Sequence, residues 1–291
     1  MNIQSLSIVV PTEKCWNHCK FCVSHMHHED YGKNLNFNEG IPESYINRME
    51  YVRDEGTNSM IITGAAEPQQ NMNFIFKLLE ANKKLRKPFY NIGIQTTGTN
   101  FTEEMINKLA NAGVTTLALS VSSFNDKQNW NIIQAPEKVR TMGLSQLVST
   151  AKLYGMNVRL CLNLTSAFNH YRPEDFFHIC NTIGVSDMDT GVDQITFRKI
   201  YADGAGDEAT WVWNNLYDEE KFKAIQKYIK RFGTPIAILP YGYVQYSVHG
   251  ISTVIDDNCM AKNEIKSYKY AILRPNGKLY SRWDDSGSLI F

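Results

Sequence analysis

Apolar and polar positions along the 291-residue chain fall into two alternating rhythms. Short runs of aliphatic and β-branched residues alternate with segments whose apolar residues recur at helical spacing. The first strand-like run covers residues 6–10. A helix is predicted over 42–55, with Ile46, Met49 and Val52 on one face. A strand over 59–63 and a helix over 71–85 follow, then a strand over 90–96 and a helix over 102–112. Thr102 suits the N-cap of that last helix. Glu103 and Glu104 place negative charge in its first turn, and Gly113 stops it. The rhythm continues with strands over 114–121, 158–164 and 192–200, and helices over 137–153, 173–183 and 218–232.

Repeated strand–helix units imply a parallel sheet with right-handed crossovers. Six units are two short of a closed eightfold barrel. The expected fold is therefore α/β, an open partial (β/α)6 barrel, with reactive residues at the C-terminal ends of its strands. After Gly233 the alternation stops. Strand-like runs over 236–239, 251–255, 268–273 and 278–283, with a Pro275-Asn276-Gly277 turn, predict a hairpin and a small β-rich extension. The expected division is residues 1–233 and 234–291.

Composition changes this picture little. Hydrophobic residues make up 43% and charged residues 21%, which suits a globular chain. Thirty basic residues balance thirty acidic ones, so no global field draws the protein to nucleic acid or to an anionic membrane. No apolar run approaches the length of a membrane span. The first residues lack the basic start and long apolar core of a signal peptide, so a cytoplasmic location is expected.

The cysteines add chemistry. Cys15, Cys19 and Cys22 lie within eight residues, while Cys161, Cys180 and Cys259 are scattered. A disulfide framework is spaced differently, and in a reducing compartment such a cluster suggests metal. The cluster opens a long aperiodic stretch after the first strand, and loops of that length are often functional. Three thiolates can hold three irons of a four-iron cluster, which leaves the fourth iron for an exogenous ligand. Two other readings stand beside this one. The thiols can share one buried helix face, or they can bind zinc with His18, His25, His27 or His28 as a fourth ligand.

The run Cys15-Trp16-Asn17-His18-Cys19-Lys20-Phe21-Cys22 resembles the C-x-x-x-C-x-x-C signature of the radical S-adenosylmethionine (SAM) superfamily, with Phe21 as the aromatic residue before the third cysteine. The resemblance implies one [4Fe-4S] cluster on the three cysteines, whose open iron chelates SAM. It implies reductive cleavage of SAM to a 5′-deoxyadenosyl radical, which abstracts hydrogen from a peptide or small-molecule substrate. An electron donor such as flavodoxin or ferredoxin is implied as well.

Further stretches are similar to the family's SAM pocket. Gly64-Ala65-Ala66-Glu67-Pro68 resembles its G-G-E-P element, which binds the amino group of SAM. Ala66 stands where glycine is usual, a small change if φ is negative and a costly one otherwise. Thr97-Gly98 resembles the end of a T-N-G element, with Thr97 in place of asparagine. Ser120 and Ser122 lie in a stretch similar to S-L-D-S, where polar residues approach the ribose and carboxylate of SAM. Asn163 and Arg198 complete the expected contacts, and Arg159 or Arg198 can pair with the SAM carboxylate. Cys259 and the hairpin resemble a SPASM or twitch domain reduced to one cysteine, so a cluster-free remnant is expected. Cys161 and Cys180 are expected in the core. Trp211, Trp213 and Tyr217 either line a substrate pocket or pin a loop. Two rival functions remain open: an activase that installs a glycyl radical on a partner enzyme, and a zinc-bound structural or nucleic-acid-binding protein.

Overall fold

The computed structural model describes residues 2–27, 30–185, 191–257 and 267–291. Strand β1 (Asn2–Val9) runs into the cysteine loop, which ends in a single turn, α1 (Val23–Met26). Then come α2 (Glu43–Asp54), β2 (Ser59–Thr63), α3 (Met72–Lys83), β3 (Asn91–Thr96), α4 (Glu103–Ala112) and β4 (Thr116–Val121). The second half holds α5 (Asp126–Ile133), α6 (Leu144–Leu153), β5 (Asn157–Leu164), α7 (Pro173–Thr182), β6 (Gln194–Lys199), α8 (Asp207–Asn214) and α9 (Glu219–Phe232). Five strands close the chain: β7 (Gly233–Ile238), β8 (Val244–Val248), β9 (Ile251–Asp256), β10 (Ser267–Leu273) and β11 (Leu279–Tyr280).

The six expected strand–helix units are present, and local chemistry sets their ends. The Thr102 side chain accepts a hydrogen bond from the Met105 amide at 3.2 Å, and Gly113 ends α4 at a φ of 109°. The helix expected over 137–153 is interrupted. Residues 137–139 form one 3₁₀ turn, and α6 begins only after Gly143, where Asp126 accepts from the Leu144 amide at 2.9 Å. Four elements escaped the sequence reading: α1, α5, α8 and β8.

Strands β1 to β6 lie side by side in chain order, all parallel. The strands after 232 extend that same sheet at both edges. β10 pairs in parallel with β1, and β9 pairs in parallel with β6. β11, β8 and β7 add antiparallel strands outside them. The result is one eleven-stranded sheet that is not closed. The two arms still meet through side chains. Lys269 of β10 contacts Asp256 of β9 at 2.7 Å, although the two strands are not ladder partners.

Alternation along each strand divides the core from the lumen. Leu6, Ile8, Met60, Ile62, Ile94, Leu117, Leu119, Leu160 and Phe197 are buried in the main apolar core with α2, α3, α4, α6, α7 and α9. Ser7, Gln95, Arg159, Cys161 and Arg198 line the inner cavities instead. A parallel sheet covered by helices thus acquires a polar interior. No helix among the described residues is long and apolar enough to cross a membrane.

Candidate active site

The cysteine loop is fixed from three sides. The amides of His18 and Lys20 donate to the carbonyls of Ile133 and Ile132, at the C-terminal end of α5. Trp16 packs on Ile133, Ala135 and Val139, and its indole N–H donates to Thr99 Oγ1 at 3.0 Å. The Asn17 side-chain amide donates to Glu67, Thr97 and Thr99 at 3.2, 3.0 and 3.1 Å. Cys22 closes the loop as the N-cap residue of α1. Helix α8 covers the outer side: His25 Nδ1 lies 3.2 Å from a Glu208 carboxylate oxygen, and the Phe21 and Trp211 rings are 6.1 Å apart.

Glu67 is the hub of the loops that follow β2 and β3. It is 6% exposed, so each of its acceptor sites must be satisfied locally. Thr96 Oγ1 donates to it at 2.5 Å, Thr97 Oγ1 at 2.8 Å, the Thr97 amide at 3.1 Å and Gln69 Nε2 at 3.1 Å. With the Asn17 contact, one carboxylate ties the cysteine loop to the ends of two strands. Sequence reasoning missed Trp16, Asn17, Gln69 and Thr99, whose partners are distant in the chain.

Gly64 lies where a Cβ would sit 2.8 Å from the Ala66 carbonyl oxygen, which explains glycine at the end of β2. Ala66 is absent from the described residues with positive φ, so alanine fits there without backbone strain. Ser120 Oγ accepts from Gln95 at 3.5 Å, and Ser122 is fully buried at the end of β4. Asn163 and Arg198 are cross-strand partners on β5 and β6. Arg198 is engaged with Asp256 at 3.2 Å, while Arg159 Nε donates to Gln194 Oε1 at 2.7 Å. Cys180 is buried in the apolar core as expected, whereas Cys161, also buried, faces the deeper cavity because its side of β5 points into the lumen. Cys259 and His28 lie outside the described residues.

The donor set fits an iron–sulfur cluster. Burial pushes the Cys19 thiol well up, and the nearby charges of Cys22, Glu67 and Cys15 push it further. Burial likewise raises Cys15 and Cys22, and Cys22 adds to the shift of Cys15. Three neighbouring thiols that resist ionisation alone call for a positive centre to hold them as thiolates. Among the described residues, no three His, Cys, Asp or Glu side chains converge tightly enough for one metal ion. Buried Asn17 Oδ1, Gln69 Oε1 and Ser122 Oγ have no hydrogen-bond partner among the described residues, as expected of groups awaiting a polar ligand.

A cavity of ≈580 Å³ adjoins this loop and is lined by Ser24, His27, Gly64, Ala65, Gln95 and Arg198. A second, of ≈390 Å³, lies deeper in the lumen and shares Ile61, Gln95, Arg198 and Tyr270 with the first.

Between the two arms of the sheet, Asp256 accepts from both Lys269 and Arg198. Burial pushes its carboxyl up, but the two cations outweigh burial and the net shift is downward. A depressed folded pKa contributes stability that is complete above the unfolded value of about 4 and is lost as pH falls through the folded value. Asp256→Ala removes the carboxylate that both Lys269 and Arg198 engage and is expected to cost about 3–5 kcal/mol near neutral pH. The difference from the parent should shrink below about pH 4. Urea unfolding at pH 7 and at low pH reads both effects, and a constant difference would contradict this account.

The family model for the radical SAM superfamily matches residues 9–183. An uncharacterized protein of Methanocaldococcus jannaschii is 25% identical over 175 residues, 57% of this chain and 54% of that protein. Streptococcus suis SuiB, crystallised with its precursor peptide SuiA, aligns at 15% identity with a TM-score of 0.56, over 96% of this chain and 59% of SuiB. The structure of anSMEcpe with bound AdoMet aligns at 14% identity and a TM-score of 0.61, over 96% of this chain and 74% of the other. At these identities the solved structures are similar in fold. The chain spans about half the length of the archaeal relative and about three fifths of SuiB.

Proposed function

The chain belongs to the radical SAM superfamily, enzymes that bind a [4Fe-4S] cluster and SAM, and from that premise we propose that Cys15, Cys19 and Cys22 hold the cluster above a lumen that takes SAM and a peptide or small-molecule substrate. One observation carries the reading: three thiols on a single pinned loop beside a ≈580 Å³ cavity. When bound, the reduced cluster supplies the electron that splits SAM into methionine and a 5′-deoxyadenosyl radical able to take hydrogen from a substrate.

The protein's own residues position and enclose. Gly64 and Ala65 let the backbone at the end of β2 approach the amino group of SAM. Ser120, Ser122 and Asn163 offer polar contacts at the ends of β4 and β5. Glu67 holds the cysteine loop and Thr97 in register through the bonds described above. The contact of Phe21 with Trp211 packs α8 over the outer side of the cysteine loop, where it would limit access of water to a bound cluster. SuiB was crystallised with a precursor peptide, and this supports a peptide as one substrate class. An electron donor such as flavodoxin or ferredoxin would approach the exposed side of the loop.

The test is anaerobic reconstitution followed by metal analysis and turnover with SAM and a reductant. About four irons per chain and formation of 5′-deoxyadenosine with methionine are expected. About eight irons would reject a single cluster. Zinc without iron would reject the reading.

A further inference from the structure

We propose that the lower lumen is an anion-binding subsite in which Arg159 anchors a carboxylate or phosphate group of the substrate. The proposal rests on the reading just given, because it assigns the space below SAM.

Charge is unevenly placed in this protein. Thirty basic and thirty acidic residues cancel over the whole chain. Among the described residues, however, the deeper ≈390 Å³ cavity is lined by Arg159, Arg198 and Lys269 against one carboxylate, Asp256. Asp256 is already shared by Lys269 at 2.7 Å and Arg198 at 3.2 Å. Arg159 has no carboxylate within ion-pair distance among the described residues. Its Nε–H is committed to the neutral Gln194 side chain at 2.7 Å. That bond fixes the guanidinium plane and leaves its two terminal nitrogens without a protein acceptor among the described residues. An oriented guanidinium fork matches the paired oxygens of a carboxylate or phosphate. Within a concave cavity, a fixed guanidinium acts on an anionic ligand more strongly than it would on an open surface.

The position separates this site from the SAM carboxylate. SAM must reach the cysteine loop with its amino and carboxylate groups together, at the C-terminal ends of the strands. Arg159 is near the opposite end of β5, level with Gln194 at the start of β6. It stands four residues below Asn163, ~13 Å along the strand. A substrate held at Arg159 would extend past Gln95 and Arg198, which line both cavities, toward the upper one. A purely structural tie between β5 and β6 requires only the bond to Gln194 and no charge.

The experiment uses the reconstituted protein saturated with SAM, so that the SAM carboxylate site is filled. Succinate, inorganic phosphate and neutral succinamide are titrated by calorimetry. Saturable binding of succinate or phosphate at one site per chain is expected, with none for succinamide. The tighter of the two anions identifies the group that the substrate carries. Arg159→Gln should weaken anion binding roughly 10- to 150-fold, with thermal unfolding confirming that the variant is folded. Arg159→Lys should retain part of the affinity. Equal binding of succinamide, unchanged binding by Arg159→Gln, or no anion binding by the SAM-loaded protein would overturn the proposal. Anion binding seen only without SAM, and competitive with it, would assign Arg159 to SAM and overturn the proposal as well. In each of these cases normal iron content and SAM cleavage leave the proposed function standing. A chain that takes up no iron overturns both.

Discussion

Cys19→Ala protein, reconstituted anaerobically, is expected to hold no [4Fe-4S] cluster and to form no 5′-deoxyadenosine, against about four irons per chain for the parent. Two thiolates leave two irons without a protein ligand, and the cluster is then lost rather than weakened. Cys19 packs beside Ile133, Ala135 and Val139, a small apolar cluster that accommodates a methyl group. The fold should therefore survive, with circular dichroism unchanged. Cys15→Ala and Cys22→Ala should behave alike. Cys180→Ala is the control. This thiol is buried within α7, and burial pushes its pKa far up. Its removal should cost some stability through a small cavity and leave iron and SAM cleavage intact. Full iron in Cys19→Ala, or iron lost in Cys180→Ala, would assign the ligands elsewhere.

The parts of this picture that the sequence revealed are those set by short-range chemistry. Thr102, Glu103, Glu104 and Gly113 announce α4, and the structure places a cap bond and a positive φ at those positions. The cysteine spacing is equally local. Helix α5 was hidden because Asp126–Ile133 offers apolar residues only at Trp130, Ile132 and Ile133, too few for a visible period. Its signal lay in Asn125, whose side chain accepts from the Gln128 amide at 3.0 Å. Gly233 read as a helix stop and also begins β7, so the strand that follows was placed late. The sites of β9 and β10 in the sheet are non-local. Nothing within residues 251–273 says that one of these strands joins β6 and the other β1, because parallel register is decided by distant partners. The convergence of Asn17, Glu67 and Thr97 was hidden for the same reason: the chain separates them by 50 and 30 residues.

Glu67→Ala is expected to destabilise the protein before any cofactor is added. In the folded chain its carboxylate accepts from Asn17, Gln69, Thr96, and both the hydroxyl and amide of Thr97. Some of these donors have a second acceptor. Asn17 also reaches Thr99 Oγ1 at 3.1 Å, and Gln69 reaches the Thr99 carbonyl at 2.7 Å. The Thr97 amide has no acceptor other than Glu67 among the described residues. Hydrogen bonds to a charged group contribute about 1.5–3 kcal/mol each, and partial rescue leaves a net loss of about 3 kcal/mol. The melting temperature of the apo-protein should fall by roughly 5–10 °C. Iron uptake and SAM affinity should fall with it, because Asn17 lies between Cys15 and Cys19 and loses one of its three acceptors. Glu67→Gln keeps the shape but turns one acceptor into a donor facing other donors, so it should not rescue stability. A carboxylate that served only the ammonium group of SAM would behave differently. Its removal would leave the apo melting temperature unchanged or raised and would lower SAM affinity alone. Differential scanning fluorimetry of the metal-free variants, paired with calorimetric SAM titration after reconstitution, separates the two roles. An unchanged apo melting temperature would reject the hub role assigned to Glu67.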